Sequence, residues 1–365
     1  MINLLHVSPN KYKGLNSSDH TYKIWVELSK GVDNYYILAR SEKNKFERFE
    51  NDNITLILIP KIIDKARVFI FTSFIALFYI RKLKITHILC QSAIFGGTAC
   101  IMAKKIFKVP VMLEIHGEEY FRIMDSKKTM VRWLSSILRK IYQNADKVRS
   151  LNEFMTEKLN KHGICKNVVE IYNRVNLDLF NQVKENFKSS ETFKLVSVGR
   201  FVKEKNYENL IIYLKNSGIK FHLTLIGGGA LKENYSNLIK KLDLEKDIVL
   251  IDWLQQQEFI EILLKSDLYI QSSISEGMPR TIVEAMALQM PLVSTNVGSI
   301  KGVLKNEVNG LLVEPNEIAI IDAVKSMMGS ESLRESLARQ GRKDVLEKYE
   351  WNSVFDKYRK EIITM

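Results

Sequence analysis

Residues 267–298 read DLYIQSSISEGMPRTIVEAMALQMPLVSTNVG, and the pattern changes period twice within them. A short apolar run at 268–271 has strand length, a loop rich in Ser and Gly follows, and a helix opens at Pro279. A second short run at 292–295 then returns to strand character, so the stretch reads as one β-α-β unit. Outward from it the same alternation recurs. Strand-like runs fall at 3–7, 35–38, 54–59, 87–90 and 109–115, and again at 194–198, 222–226 and 248–251. Between these two groups KENFKSSETF, residues 184–193, is polar and without apolar periodicity, and reads as an interdomain linker. Strands alternating with helices imply parallel, doubly wound sheets, and the 365 residues suffice for two such domains. Sheets of this kind bind ligands outside the carboxyl ends of their strands, so functional residues are expected in the loops that follow strands.

The loop and helix at 275–287, SEGMPRTIVEAMA, are the first such place. Seven residues separate Glu276 from Glu284, Gly277 permits close backbone approach, and Pro279 suits a first helical turn. Free amides at a helix N-terminus, with the macrodipole, suit a diphosphate. Glu284, two turns further along, is placed to reach a ribose hydroxyl pair, and Glu276 to accept from sugar hydroxyls. The spacing alone also fits an ordinary capped amphipathic helix with two solvated glutamates.

The pattern EGxPxxxxEAMA resembles the E-x7-E signature of retaining family 4 glycosyltransferases, the group 1 glycosyl transferases of GT-B fold. VGRFVKEK at 198–205 resembles that family's VGRL-x-x-x-K segment, in which the cations matching Arg200 and Lys205 hold the donor phosphates. LIGGG at 225–229, DLYIQS at 267–272, PLVSTNVG at 291–298 and NGLLVEP at 309–315 resemble further family segments, the last a hairpin. Trp351 resembles the aromatic residue that begins the family's terminal helix, here expected over about 332–363.

In the first half, IHGE at 115–118 resembles the family's histidine loop and would set His116 beside the donor sugar. NRVNLDLF at 173–180 resembles NGVD-x-x-x-F, with Arg174 in place of glycine and Asn176 in place of aspartate. Gly14 stands alone where the family shows a Gly-Gly turn. The resemblance implies two Rossmann-like domains facing across a cleft. Residues 1–185 would be the acceptor domain, 186–345 the nucleotide-sugar domain, and 346–365 a helix crossing back to the first. It also implies a catalytic set of His116, Arg200, Lys205 and Glu276. The donor set would be Gly14, Arg200, Lys205, Gly227, Gly228, Glu276, Gly277, Met278, Pro279 and Glu284.

Composition narrows the partners. Residues 1–190 hold 31 Lys/Arg and 18 Asp/Glu, whereas 191–365 hold 23 and 24, so the halves carry +13 and −1. Such asymmetry suggests that the first domain meets an anionic partner. No helix-turn-helix, zinc finger, RNP or KH pattern is present, so nucleic acid is disfavoured and an anionic membrane surface preferred. The apolar stretch 68–80 is too short to span a bilayer and reads as a buried helix or, with its basic flanks, an interfacial one. The stretch 122–142, RIMDSKKTMVRWLSSILRKIY, reads as a basic amphipathic helix, either packed on the domain or lying on a membrane through Lys127, Lys128, Arg132, Arg139 and Lys140. Three cysteines without ligand spacing give little support to a disulfide framework or zinc site, and the N-terminus does not read as a secretion signal. A cytoplasmic protein, peripheral on the inner face of the membrane, is the expectation.

The expected reaction is metal-independent sugar transfer, with no cofactor, from a UDP- or GDP-sugar to a glycan or lipid-linked oligosaccharide in bacterial surface polysaccharide assembly. No DxD-like acidic pair stands beside the cations. Two competitors share the scaffold: a nucleotide-sugar epimerase, recognised by single-substrate turnover, and a binding module with a decayed site.

Overall fold

A computed structural model of the chain describes residues 1–17, 19–61, 69–116, 119–127, 129–189, 191–277 and 279–365. Of the expected functional positions, Met278, Gly117, Glu118, Lys128 and Val68 lie outside the described residues. The chain divides into unit 1, Met1–Ile171 with Val354–Met365, and unit 2, Tyr172–Ser353.

Unit 1 runs β1 (Asn3–Tyr12), α1 (His20–Ser29), β2 (Asn34–Ser41), β3 (Glu47–Asn51), β4 (Ile54–Ile59), α2 (Phe69–Thr72), α3 (Ile75–Lys82), β5 (His87–Cys90), a π-turn (Ala93–Gly97), α4 (Thr98–Phe107), β6 (Val111–Glu114), α5 (Glu119–Met124), α6 (Thr129–Asn144), β7 (Lys147–Ser150), α7 (Glu153–Lys161) and β8 (Val168–Glu170). Its eight strands lie in the order β3-β4-β2-β1-β5-β6-β7-β8. All ladders are parallel except β3 with β4, which is antiparallel at the sheet's edge. Every residue of β4 is buried, as expected where helices cover both faces of a parallel sheet. One core cluster joins α3, α4 and α6 to the sheet through Ala76, Ile80, Cys100, Ile101, Leu138 and Ile141.

Unit 2 runs β9 (Phe193–Val198), α8 (Tyr207–Asn216), β10 (Phe221–Ile226), α9 (Lys232–Lys241), β11 (Ile248–Ile251), α10 (Gln256–Lys265), β12 (Leu268–Gln271), α11 (Arg280–Ala287), β13 (Leu292–Thr295), β14 (Leu311–Val313), α12 (Glu317–Gly329) and α13 (Glu331–Lys348). Its sheet order is β11-β10-β9-β12-β13-β14, all parallel. The reversal of direction falls at β9 and β12, and the loops after those two strands are where such a sheet binds ligands. The last helix, α14 (Trp351–Ile363), leaves unit 2 and packs its end into unit 1.

Several expectations change in detail. The single helix expected over 332–363 is two, because the Glu350 carboxylate caps a fresh N-terminus by accepting from the amides of Asn352 and Ser353 at 2.9 and 2.7 Å. NGLLVEP is not a hairpin: β14 lies parallel to β13, with Val293 opposite Leu311. The described part of 68–80 splits into α2 and α3, and 122–142 is shared by α5 and α6. The polar stretch 184–193 is no free linker, since Lys184 donates its amide to Leu288 O at 2.9 Å and Phe187, buried, accepts from Arg334 at 2.6 Å. The break between units falls earlier, at Ile171. Among the described residues no helix is long and apolar enough to cross a membrane.

Candidate functional site

Three strand ends of unit 2 meet at one carboxylate. Lys205 closes a 3-10 turn after β9, and Glu276 stands in the loop after β12. Glu276 Oε1 accepts from Lys205 Nζ at 2.6 Å, from Ser273 Oγ at 2.6 Å and from Gln271 Nε2 at 3.0 Å. The Lys205 and Glu276 side chains are only 15% and 12% exposed, so this pair is held largely out of water. The two loops are sewn together by Ile274 N to Glu204 O (2.9 Å), Asn206 Nδ2 to Ser272 O (3.2 Å) and Ser272 Oγ to Lys205 O (3.1 Å). Thr295, at the end of β13, donates its hydroxyl to Ser273 O at 2.5 Å. Gly298 completes the joint: its φ is +57°, and a β-carbon there would lie 1.8 Å from the Glu276 carbonyl oxygen. Only glycine fits such a contact.

The other expected donor residues are distributed around this knot. The Arg200 side chain is exposed and makes no hydrogen bond or ion pair among the described residues, so its guanidinium is available to a ligand. Gly227, φ +151°, packs its backbone on Gly199, where a β-carbon would sit 1.9 Å from the carbonyl oxygen. It thereby locks the loops after β9 and β10 together. Gly228 faces the indole of Trp253, whose Nε1 would be 3.4 Å from an added β-carbon. Gly277 is half-buried, and Pro279 is the N-cap residue of α11, so the helix opens directly behind Glu276. Glu284, half-buried on α11, has its carboxyl pKa pushed up by burial, with Arg280 one turn earlier opposing.

In unit 1 the expected His116 is half-exposed beyond β6, and its Nε2 lies 3.0 Å from Glu114 Oε2. Glu114 is buried at the end of a strand, where its other oxygen accepts from Arg149 Nη1 at 2.5 Å and from the Tyr358 hydroxyl. Arg149 in turn donates Nε to Ile171 O at 3.0 Å and lies 4.5 Å over the Tyr358 ring. Burial alone would raise the Glu114 pKa, but Arg149, His116 and His6 outweigh it and hold it well below the usual carboxylate range. A cavity of about 300 Å³ opens beside this cluster, lined among others by Asn10, Gln91, Phe95, Glu114, His116 and Tyr142. Gly14, in the loop after β1, sits against Phe49, 3.3 Å from where its β-carbon would be.

Residues 180–344 match the family model of glycosyl transferases group 1, and residues 20–179 that of glycosyltransferase family 4. The chain belongs to these glycosyltransferases. An uncharacterized glycosyltransferase of Methanocaldococcus jannaschii is 27% identical over 262 residues, covering 70% of this chain and 68% of its own. An N-acetylgalactosamine-N,N'-diacetylbacillosaminyl-diphospho-undecaprenol 4-alpha-N-acetylgalactosaminyltransferase of Campylobacter jejuni is 28% identical over 169 residues, 46% of each chain. Among solved structures, sucrose-phosphate synthase from Thermosynechococcus elongatus matches all of both chains with a TM-score of 0.80 at 17% identity. Anabaena HepE, solved with UDP and glucose, does so at 0.74 and 13%. These likenesses identify the two parallel-sheet units as a GT-B glycosyltransferase fold.

For this glycosyltransferase, motif reading singled out Lys205 and Glu276, which the structure brings together, but not the partners that hold them. Gln271 was the available signal, a polar residue closing the otherwise apolar strand LYIQ. Glu114 carried the same kind of signal in VMLE, a charge in a fully buried strand. Arg149 and Tyr358 had none, because they reach Glu114 from 35 and 244 residues away. Arg174, the departure from the family's glycine, lies 5.7 Å over the Trp351 ring, and the Asn176 side chain accepts the Asp178 amide at 2.9 Å to set its turn.

Proposed function

We propose that the protein moves a sugar from a UDP- or GDP-sugar to a lipid-linked glycan acceptor with retention of configuration, in assembly of a bacterial surface polysaccharide. The observation that carries the donor half is the Lys205–Glu276 pair fixed across three strand ends, with the unengaged Arg200 on the same loop as Lys205. In this reading unit 2 takes the donor. Arg200, Lys205 and the first amides of α11 hold the diphosphate, Glu284 takes the ribose hydroxyls, and Glu276 the sugar hydroxyls. Unit 1, with the cavity beside His116, takes the acceptor and offers His116 to the sugar.

The chemistry follows from charge. As the bond from the anomeric carbon to the phosphate oxygen breaks, the diphosphate gains negative charge and the sugar gains oxocarbenium character. The acceptor oxygen bonds to the same face of the anomeric carbon, and its proton passes to the departing phosphate oxygen. Neither a protein nucleophile nor a metal is required, because preorganised cations and amides stabilise the leaving group, each typically worth about 10²- to 10³-fold in rate. The UDP and glucose held by Anabaena HepE support a nucleotide-diphosphate donor. The diphospho-undecaprenol in the Campylobacter relative's name supports a polyprenyl-linked acceptor. A protein working on such an acceptor would sit peripherally on the cytoplasmic face of the membrane.

Calorimetric titration with UDP and GDP, followed by NMR of the product's anomeric proton, tests the reading. Binding of one nucleotide and an axial product from an axial donor are expected, with turnover unaffected by EDTA. Inversion, or loss of activity in EDTA restored by Mn²⁺, would refute the mechanism.

A further inference from the structure

We infer that the outer face of α3, α4 and α6 in unit 1 is the surface by which this protein rests on an anionic lipid bilayer. The three helices lie side by side on one face of the first sheet, sharing a single core cluster that excludes α1. Their inward stripes are spent on that core: Ala76 and Ile80 from α3, Ile101 and Ala103 from α4, Leu138 and Ile141 from α6. The expected apolar stripe of the 122–142 segment is therefore unavailable, and α6 alone is no anchor.

What remains outward is apolar as well. Phe71, just before α3, is 76% exposed, Phe78 on α3 60%, and Trp133 on α6 67%, with Met102 and Ile106 exposed one turn apart on α4. Of the eight large apolar side chains exposed in unit 1 among the described residues, these are five. Scattered exposed apolar residues mean little, but four on three adjacent helices, with Phe71 on the short α2 that precedes them, mark a contact surface.

Charge decides what it contacts. From residue 65 to 113 the chain holds eight Lys/Arg and not one Asp/Glu, and α6 carries Arg132, Arg139 and Lys140 with no acid. Lys104 is taken by Asp146 at 2.8 Å, and Arg139 by the His162 carbonyl at 3.2 Å. Arg81, Lys82, Lys84, Lys105, Lys108, Arg132 and Lys140 have no ion pair among the described residues, and Lys82 lies 5.4 Å over the exposed Phe78 ring. A face whose unpaired charges are all cationic and which is studded with Phe and Trp suits anionic headgroups above acyl chains. Aromatic rings enter the headgroup boundary while Lys and Arg reach phosphate. Each cation near such a surface is worth about fivefold in partitioning, so several together hold the protein reversibly.

The inference deepens the reading of a membrane-borne acceptor, yet it is tested by binding alone, so its failure leaves UDP affinity and turnover to be judged separately. Full-length protein is sedimented with phosphatidylcholine vesicles with and without phosphatidylglycerol. Binding only to the anionic vesicles is expected, with release at high salt and a blue shift of emission that Trp133→Phe abolishes. Neutralising Arg81, Lys82, Lys105 and Lys108 to Gln should lower partitioning by more than about 100-fold. Phe71→Ser with Phe78→Ser, which leaves the charges and the core untouched, should lower it by about tenfold or more. Parent-like binding by either folded variant would overturn the assignment. So would binding to heparin as strong as to vesicles with no Trp133 shift, which would make the face a polyanion site.

Discussion

Glu276→Gln separates two functions that the Lys205–Glu276 pair combines. In the free protein the Lys205 ammonium is already engaged, 2.6 Å from a carboxylate oxygen that also accepts from Ser273 and Gln271. A diphosphate recruiting Lys205 must compete with that carboxylate. Glutamine preserves an acceptor oxygen for Ser273 and Gln271 but removes the charge that holds Lys205. A hydrogen bond to a charged group is worth about 1.5–3 kcal/mol and a neutral one about 0.5–1.5, so the tether weakens by about 1–2 kcal/mol. If Lys205 binds phosphate, UDP affinity should then rise by about 5- to 30-fold. If Glu276 accepts from the sugar hydroxyls as proposed, turnover should fall by about 10²- to 10³-fold. Isothermal titration with UDP gives the first number and steady-state kcat the second. Lys205→Ala should weaken UDP in the same assay. A Glu276→Gln variant that binds UDP more weakly than the parent, in step with its lost turnover, would show that Lys205 is not shared between carboxylate and phosphate.

Three further outcomes are expected. Arg200→Ala should leave the melting temperature within error, since the side chain is exposed and uncommitted, while weakening UDP by about tenfold or more; unchanged affinity would remove Arg200 from the donor site. Tyr358→Phe keeps the ring under Arg149 but deletes the hydroxyl that donates to Glu114, and should destabilise unit 1 by about 1.5–3 kcal/mol, read as a lowered urea midpoint. An unchanged midpoint would show that Arg149 suffices to balance the carboxylate. His6 is buried with its Nδ1 2.6 Å from the Tyr35 hydroxyl and Nε2 unpartnered, and burial, against the pull of Glu114, lowers its pKa from 6.5 to about 4. The unfolded chain therefore takes up that proton first, and stability should fall as pH drops from 6.5 toward 4, by about 3 kcal/mol in all. His6→Gln should flatten that part of the urea-midpoint profile, and a profile unchanged by the substitution would refute the assignment.

What was legible in the sequence was whatever local pattern determines. Parallel strands buried on both faces appear as short apolar runs, so 54–59, 87–90, 248–251, 268–271 and 292–295 match β4, β5, β11, β12 and β13 residue for residue. Strands that break the apolar pattern went unread: ERFEN in β3, an exposed antiparallel edge, and KVRS in β7. The second case is instructive because KVRS is fully buried, charges included. Lys147 donates to Glu361 Oε2 and Thr364 Oγ1 at 2.7 Å each, and Arg149 meets Tyr358, all three partners supplied by the chain's last dozen residues. No window of sequence around β7 contains those partners. The same holds at the site, where the motifs located Lys205 and Glu276 on separate loops but their 2.6 Å contact depends on Gly298 admitting the Glu276 backbone.

The placement of α14 follows from this charge accounting. An unpaired buried charge costs several kcal/mol, so β7 with Lys147 and Arg149 could not occupy the interior of unit 1 without carboxylates to meet it. Glu114 supplies one from the neighbouring strand β6, and Glu361 supplies the other from α14. Arg359 adds an attachment to α1, donating to Glu27 O at 2.8 Å. The terminal helix is thus part of the electrostatic closure of unit 1, although the chain reaches it only after completing unit 2. Through Tyr358 and Glu114 it also touches the group that orients His116, so the terminal helix helps set the geometry of the first unit's cavity.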